Sequence, residues 1–309
     1  FLTDAADHDV TRIVLDKEGL KSTYAYELNP AQIKSKFPFI SDFLLVWSER
    51  QRTFWERAGA SNGQIRVVGQ PRSDFFFTPS RWRSKESLGL SSGRKTIVFF
   101  TFDVDAYIHI YPAEEIRREA LSWLPLRTDI NDALMAFARA NPSVDIIIKV
   151  HPQQSDIDYV KRTFADAGLP NTRVVEGAGV SNHLIVNADL IIGFQTTALI
   201  EAMLTNKPVV YACWGSTEAK LRKDLIPFHE CDGLFRAQSK ESLTQTLNTW
   251  ATGRSVGGEL TRRKEFTDRY LYADGHAGDR LRQELAAIFR DRTGPSPSDS
   301  KVGPTTLEP

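Results

Sequence analysis

Short apolar runs alternate along the chain with stretches in which apolar residues recur at helical spacing. The runs Phe43–Trp47, Thr96–Thr101 and Val144–Val150 are almost continuously hydrophobic, which is typical of strands buried on both faces. Between such runs, residues Asp129–Ala140 and Asp156–Ala167 show the spacing of amphipathic helices. This alternation predicts an α/β fold built from parallel sheets with helices on both faces, the doubly wound arrangement.

The same two patterns predict the remaining elements. We expect further strands at Ile13–Leu15, Ile65–Val68, Arg173–Val175, Leu190–Gly193 and Pro208–Ala212. Further helices are expected at Val180–Val186, Thr196–Leu204, Glu241–Trp250 and Glu259–Phe289, the last of them interrupted at Ala273–Gly275.

A polar stretch rich in Ser and Arg, residues 78–94, divides the predicted elements into two groups. We therefore predict a partial N-terminal domain over 1–77, a linker over 78–94, a C-terminal domain over 95–290 and a disordered tail over 291–309. Two Rossmann-type sheets would then face each other across a cleft. The first domain is small for such a unit and the chain opens at Phe1, so we expect part of that domain to be missing.

The charge balance and the cysteine count narrow the class of protein. Lys and Arg total 39, as do Asp and Glu, so the formal net charge is zero. Dedicated nucleic-acid binders usually carry a basic excess, so we expect no nucleic-acid partner. Two cysteines, Cys213 and Cys231, cannot build a disulfide framework, which favours a reducing compartment and a cytoplasmic protein.

Polar residues at the end of one strand supply the first candidate chemistry. Lys149, His151 and Pro152 close the apolar strand 144–150, and open parallel sheets bind ligands outside the carboxyl ends of their strands. Side chains two residues apart point to the same side of an extended segment, so Lys149 and His151 can both donate to one phosphate group. An ordinary strand end with a solvated lysine is the alternative.

The segment Gly193–Glu201 has the pattern of a strand end, a tight turn and a helix start. Free backbone N–H groups there, together with Gln195 and the hydroxyls of Thr196 and Thr197, favour a phosphate. Glu201 lies among apolar residues one helical turn further on, and a buried carboxylate needs a partner. That partner is either the ribose diol of a ligand or a nearby Lys or Arg.

Three turns carry weaker signals. Glu176 and Gly177 follow a short strand, where a glycine permits close approach to a base or ribose, although a plain turn explains them equally well. The turn after the third strand is expected to be structural and held by an Arg72–Asp74 bridge. In Asp16–Gly19, after the first strand, a carboxylate facing the cleft can act as a general base, with a surface turn as the alternative.

Together these motifs resemble those of bacterial glycosyltransferases of the GT-B fold, particularly enzymes of capsule and other surface-polysaccharide synthesis. Lys149–Pro152 is similar to the His-Pro motif of CMP-sugar transferases such as sialyl- and Kdo-transferases, and this resemblance implies that His151 contacts the donor phosphate. Gln195–Thr197 resembles their Ser/Thr motif, which binds the same phosphate, and Glu201 matches the acidic residue that contacts the donor ribose.

Further segments extend the resemblance. Lys17–Gly19 is similar to the two-acid-plus-glycine motif of the same transferases, with Lys17 in place of the first acid, which implies Glu18 as the catalytic base. Val68–Asp74 and Asp274–Arg280 resemble segments of CDP-glycerol glycerophosphotransferases, which share the fold.

The resemblance implies an enzyme that moves a sugar from a CMP- or CDP-linked donor onto a surface polysaccharide or a lipid-linked glycan. Protein groups would stabilise the charge on the leaving phosphate, so neither a metal nor another cofactor is required. We expect the enzyme in the cytoplasm, with peripheral contact to the inner face of the cell membrane. Basic residues are the candidates for this contact, with solvated surface charge as the alternative: Arg81, Arg83, Lys85, Arg262, Arg263 and Lys264.

Three other functions stay open at this point. The first is transfer of a polyol phosphate from CDP-glycerol. The second is the chemistry of a UDP-N-acetylglucosamine 2-epimerase, which shares the fold but needs more acid/base carboxylates than these motifs supply. The third is nucleotide binding without catalysis, if the N-terminal domain is incomplete.

Overall fold

The computed structural model describes residues 10–17, 19–37, 39–152, 154–256 and 258–293. A smaller sheet contains strands β1 (Ile13–Leu15), β2 (Phe43–Val46) and β3 (Ile65–Val67), in that spatial order and parallel. Helices α1 (Thr23–Lys36) and α2 (Glu49–Arg57) connect these strands. Each crossover therefore passes through a helix, as parallel pairing requires.

A larger parallel sheet follows in the chain. Its strands are β4 (Lys95–Phe100), β5 (Val144–Lys149), β6 (Thr172–Val175), β7 (Leu190–Gly193), β8 (Val209–Ala212) and β9 (Phe235–Ala237). Their spatial order is β6-β5-β4-β7-β8-β9, so successive strands are added first on one side of β4 and then, from β7, on the other. A crevice at the carboxyl ends of the strands beside such a reversal is the usual ligand site of an open α/β sheet.

The remaining α-helices of the described chain are short to medium in length. They are α3 (Ala113–Arg118), α4 (Leu124–Ala140), α5 (Ile157–Asp166), α6 (Ser181–Asn187), α7 (Thr197–Ala202), α8 (Ser216–Leu221), α9 (Lys240–Ala251), α10 (Leu260–Tyr270) and α11 (Ala277–Thr293). The interruption expected at Ala273–Gly275 separates α10 from α11.

The α/β fold with parallel sheets is confirmed, and every predicted strand is present within two residues of its expected ends. Five elements were not predicted: β9, α1, α2, α3 and α8. Strand β9 has three residues, too few for a period to be read. Helix α1 buries only Pro30, so it lacks the apolar stripe that marks a helix in sequence.

The segment that connects the two sheets contributes to a hydrophobic core that they share. Residues Pro71–Phe77 form a 3-10 helix after β3, and Phe75 and Phe76 join the same buried cluster as β4 and β5. Trp47, at the end of β2, joins this cluster too. Residues 71–77 and the smaller sheet are thus packed against the larger sheet, and the domain limits of 1–77, 78–94 and 95–290 stay a prediction.

Helix α11 returns to the smaller sheet. Its first turn is capped by Asp74, whose carboxylate accepts hydrogen bonds from the N–H groups of Ala277 at 3.0 Å and Gly278 at 2.7 Å. Further along, Glu284 pairs with Arg66 of β3 at 3.2 Å. The predicted Arg72–Asp74 bridge is therefore wrong, because the Asp74 carboxylate is hydrogen-bonded to the N-terminus of α11 instead. The predicted tail, 291–309, lies outside the described residues except for the last three residues of α11.

Candidate functional site

A cavity of about 460 Å³ opens at the carboxyl ends of β4, β5 and β7. The ends of β4 and β5 form its floor, while residues 71–81 and the starts of α6 and α7 contribute its walls. We call this cavity the cleft. It brings together six of the predicted site residues: Lys149, His151, Pro152, Thr196, Thr197 and Glu201.

Lys149 is a buried cation on the floor of the cleft. Its side chain is 1% exposed, and its ammonium donates a hydrogen bond to the carbonyl oxygen of Val150 at 2.5 Å. Among the residues that the structure describes, no carboxylate forms an ion pair with this ammonium. Burial lowers the pKa of Lys149, because removing a charge from water is costly, although the charge of Glu176 opposes this effect. The position therefore favours an anion in the cleft.

His151 lies on the exposed rim of the cleft, two residues beyond Lys149. Partial desolvation lowers its pKa, the nearby Lys149 lowers it further, and Asp103 opposes both effects. A neutral imidazole is thus favoured while the cleft holds no anion. An anionic ligand would instead favour the protonated imidazole, because its negative charge would offset the charges of Lys149 and His151.

A buried arginine holds the loop that carries His151. Arg127 of α4 is 1% exposed, and its guanidinium donates to both carboxylate oxygens of Asp156 and, at 3.1 Å, to the Phe102 carbonyl. The Gln154 amide donates to Asp156 at 2.9 Å, and its oxygen accepts from the backbone N–H of His151 at 3.4 Å. The sequence analysis missed this network, although an arginine within the apolar pattern of α4 was a usable signal.

Asp103 supports the same loop from β4. Its two carboxylate oxygens accept hydrogen bonds from the backbone N–H and the hydroxyl of Ser155, each at 3.0 Å. Two independent contacts, one from Arg127 and one from Asp103, thus hold Asp156 and Ser155, which follow His151 in the chain. A loop held at both sides loses little further entropy when it binds a ligand.

Glu201 pairs with an arginine that the sequence analysis had assigned elsewhere. It is 3% exposed, and its Oε1 lies 2.5 Å from Nη2 of Arg72, which reaches in from the 71–81 wall. Burial raises the pKa of Glu201, although Arg72 opposes the rise. Of the two partners considered for Glu201, the structure shows the arginine. Contact with a donor ribose stays a prediction.

The two threonines of the turn lie where the pattern placed them. Thr196 is the N-cap of α7, and its hydroxyl accepts a hydrogen bond from the Ala198 N–H at 3.2 Å. Thr197 is the first residue of the helix and lines the cleft. Gln195 does not reach the cleft: its amide bonds to the Tyr211 hydroxyl and to both backbone polar groups of Ile226. The Gln195 side chain is thus engaged within the protein, and its role in phosphate binding stays a prediction.

Two other predicted residues, Glu176 and Gly177, are not among those that line the cleft. The Glu176 carboxylate forms an ion pair with Lys161 on the surface, and Gly177 has a positive φ of 88° with open space around it. These features fit a plain turn, the alternative considered for them, and contact with a base or ribose stays a prediction. Glu18, the candidate base, lies outside the described residues.

The basic residues named for membrane contact differ in their surroundings. Arg263 is buried and donates to the carbonyl oxygens of Gly233 and Lys207, so it is not available to a surface. Arg81 lines the cleft. None of the described helices is long and apolar enough to cross a membrane. Within the described residues, no group of three His, Cys, Asp or Glu side chains is placed to hold a metal ion.

Several cleft residues escaped the sequence analysis. Arg72, Arg81, Thr101 and His183 all line the cavity. Arg72 and Arg81 come from a segment read as a turn and linker, and His183 packs edge-on against Phe75. Thr101 was included in a strand, and its position at the strand's carboxyl end was the signal available.

A doubly wound sheet with a basic cleft at its order reversal, packed beside a second parallel sheet, is an arrangement of the GT-B type. The chain belongs to the family of CDP-glycerol:poly(glycerophosphate) glycerophosphotransferases, whose family model matches residues 13–287. This match confirms the resemblance to that family and the assignment of the chain as a transferase. No curated protein is significantly similar to it in sequence.

Solved structures show the same fold. The wall teichoic acid polymerase TagF is 14% identical, with 93% of this chain and 70% of that chain covered at a TM-score of 0.56. MnaA of S. aureus, solved with UDP, is 13% identical, with 93% and 72% covered at 0.54. A UDP-N-acetylglucosamine 2-epimerase is 17% identical, with 94% and 69% covered at 0.54. At these identities the likeness shows the fold alone.

Proposed function

We propose that this protein transfers a polyol phosphate, with glycerol phosphate as the first candidate, from a CDP-linked donor to a phosphate polymer or lipid-linked glycan. The membership of the glycerophosphotransferase family supports this choice over sugar transfer. The observation that carries the proposal is the buried Lys149, whose ammonium forms no direct ion pair with a carboxylate of the described residues. A diphosphate in the cleft would supply a counter-ion.

The chemistry follows from where negative charge grows. An acceptor hydroxyl oxygen forms a bond to the β-phosphorus of the donor, and the bond from that phosphorus to the bridging oxygen breaks. CMP leaves with the bridging oxygen and its electron pair. Lys149, together with a protonated His151, stabilises the charge growing on the leaving phosphate. The proton of the acceptor hydroxyl passes to a base, for which Glu18 remains the predicted residue.

The first test is a donor screen. The purified protein is incubated with a glycerophosphate oligomer and, in turn, CDP-glycerol, a CMP-sugar and UDP-N-acetylglucosamine, and nucleotide release is measured. We expect CMP from CDP-glycerol alone. CMP release from the CMP-sugar would instead indicate sugar transfer, and conversion of the UDP-sugar without an acceptor would indicate an epimerase. Either result would overturn the proposal.

The second test removes the buried charge. Lys149→Met should lower kcat/KM for CDP-glycerol by about 100-fold or more, as loss of one preorganised donor to a developing anion does. The variant should melt no lower than wild type, because an uncompensated buried charge has been replaced by an apolar side chain. Lys240→Met, at a surface pair with Asp132, is the control and should keep full activity. Full activity in Lys149→Met would refute the role of the lysine.

A further inference from the structure

Two threonines of β4 and its carboxyl end share an unusual property. Thr96 is 0% exposed and Thr101 is 4% exposed, and neither hydroxyl oxygen has a hydrogen-bond partner among the described residues. A buried hydroxyl without a partner costs stability, so each such group calls for an explanation. The two differ in where they lie.

Thr96 lies at the start of β4, away from the cleft. Its backbone N–H donates to the Asp189 carboxylate at 2.8 Å. Thr96 is not among the residues that line the cleft. Thr101 lies just beyond the other end of β4 and lines the cleft. Its backbone N–H donates to the Lys149 carbonyl at 3.0 Å, so the two residues are neighbours on adjacent strands.

The cleft floor thus holds two buried polar groups that protein atoms leave incompletely satisfied: the Lys149 ammonium and the Thr101 hydroxyl. Both belong to adjacent strand ends and both border the same cavity. An ammonium and a hydroxyl that border one cavity suit one oxyanion, since both can donate to it. A neutral ligand would leave the lysine charge uncompensated.

We propose that the Thr101 hydroxyl is a donor-binding group, which hydrogen-bonds a phosphate oxygen of the nucleotide diphosphate beside Lys149. This inference rests on the proposed function, because it requires a diphosphate in the cleft. It also explains why a threonine with an unpartnered hydroxyl follows directly after the apolar residues 97–100 of β4. The free protein bears the cost of burial, and the ligand removes it.

The isosteric change Thr101→Val separates binding from folding. Removing an unpartnered buried hydroxyl should leave the melting temperature of the free protein unchanged or higher. The dissociation constant for CDP, measured by calorimetry, should rise by about 10- to 100-fold, as expected for a lost hydrogen bond to a charged group. Thr101→Ser keeps the hydroxyl and should bind CDP within about threefold of wild type.

Thr96→Val is the matched control, because it removes an equally buried and equally unpartnered hydroxyl from the same strand. It should change the melting temperature as Thr101→Val does, yet leave the CDP dissociation constant unchanged. If Thr101→Val binds CDP as tightly as wild type does, the inference is overturned and the proposed function stands. If Thr101→Val melts well below wild type, its hydroxyl has a structural partner and the inference is again overturned. If wild type itself does not bind CDP, both proposals are overturned.

Discussion

The pair formed by Arg127 and Asp156 offers the sharpest test of how the His151 loop is held. Asp156→Ala removes the carboxylate to which the Arg127 guanidinium donates on both oxygens. Among the described residues, the Phe102 carbonyl is then the remaining acceptor for that guanidinium. Arg127 cannot turn to solvent instead, because it is 1% exposed and lies on the buried face of α4.

The size of the effect follows from this burial. Removing one partner of a buried ion pair costs about 3 to 5 kcal/mol, because the other charge stays buried and unpaired. The Asp156 side chain is 26% exposed, so water can reach the gap that alanine leaves. We therefore expect a loss near the lower end, about 3 kcal/mol in the free energy of unfolding. Glu176→Ala, at the exposed pair with Lys161, should cost less than about 1 kcal/mol.

Urea unfolding followed by circular dichroism measures both variants and the double variant Arg127→Met/Asp156→Ala. The double variant should regain most of the loss, because no buried charge remains and methionine fills the space. Burial alone would raise the pKa of Asp156, but hydrogen bonds from Arg127 and Gln154 outweigh it and lower the pKa. The difference from wild type should thus hold above about pH 4 and shrink as the pH falls through the lowered pKa. A loss as small as that of Glu176→Ala, or a double variant no better than Asp156→Ala, would refute the reasoning.

Three further outcomes are expected. CDP should bind more tightly as the pH falls toward and below about 6.5, because burial and Lys149 lower the pKa of His151 in the free protein and an anion raises it. Calorimetry in two buffers should show that CDP binding takes up protons and that His151→Asn reduces this uptake. Equal uptake in wild type and in the variant would contradict this expectation. Gln195→Met should cost about 1 to 3 kcal/mol of stability, because it leaves the buried N–H of Ile226 without its acceptor, and should leave the CDP dissociation constant unchanged. A weaker CDP affinity in this variant would show that Gln195 contributes to CDP binding. Asp74→Ala should cost about 1 kcal/mol through loss of the cap on α11, with Asp74→Asn retaining part of it, and an unchanged denaturation midpoint would show the cap to be unimportant.

Residues that reach the cleft because of where a strand ends could be predicted from their order in the chain. Lys149, His151 and Thr197 lie in the cleft because they follow strands whose apolar runs mark them clearly. Parallel strands deliver their carboxyl ends to one edge of the sheet, so strand assignment alone brings these residues together. Gln195 shows where this logic stops, since a side chain one residue away in the same turn points into the protein instead.

The alternation of apolar runs and helical periods determined the α/β class and the parallel sheets, because burial on both faces leaves a local signature in every strand. The sequence also predicted which strand ends line the cleft. Only the tertiary structure decided which side chains pair across the chain: Arg72 with Glu201, Asp74 with α11, and Arg127 with Asp156. These contacts join residues far apart in sequence, and they depend on side-chain direction and burial that no local period encodes. The same is true of Thr101, whose hydroxyl stands out only once its neighbours are known.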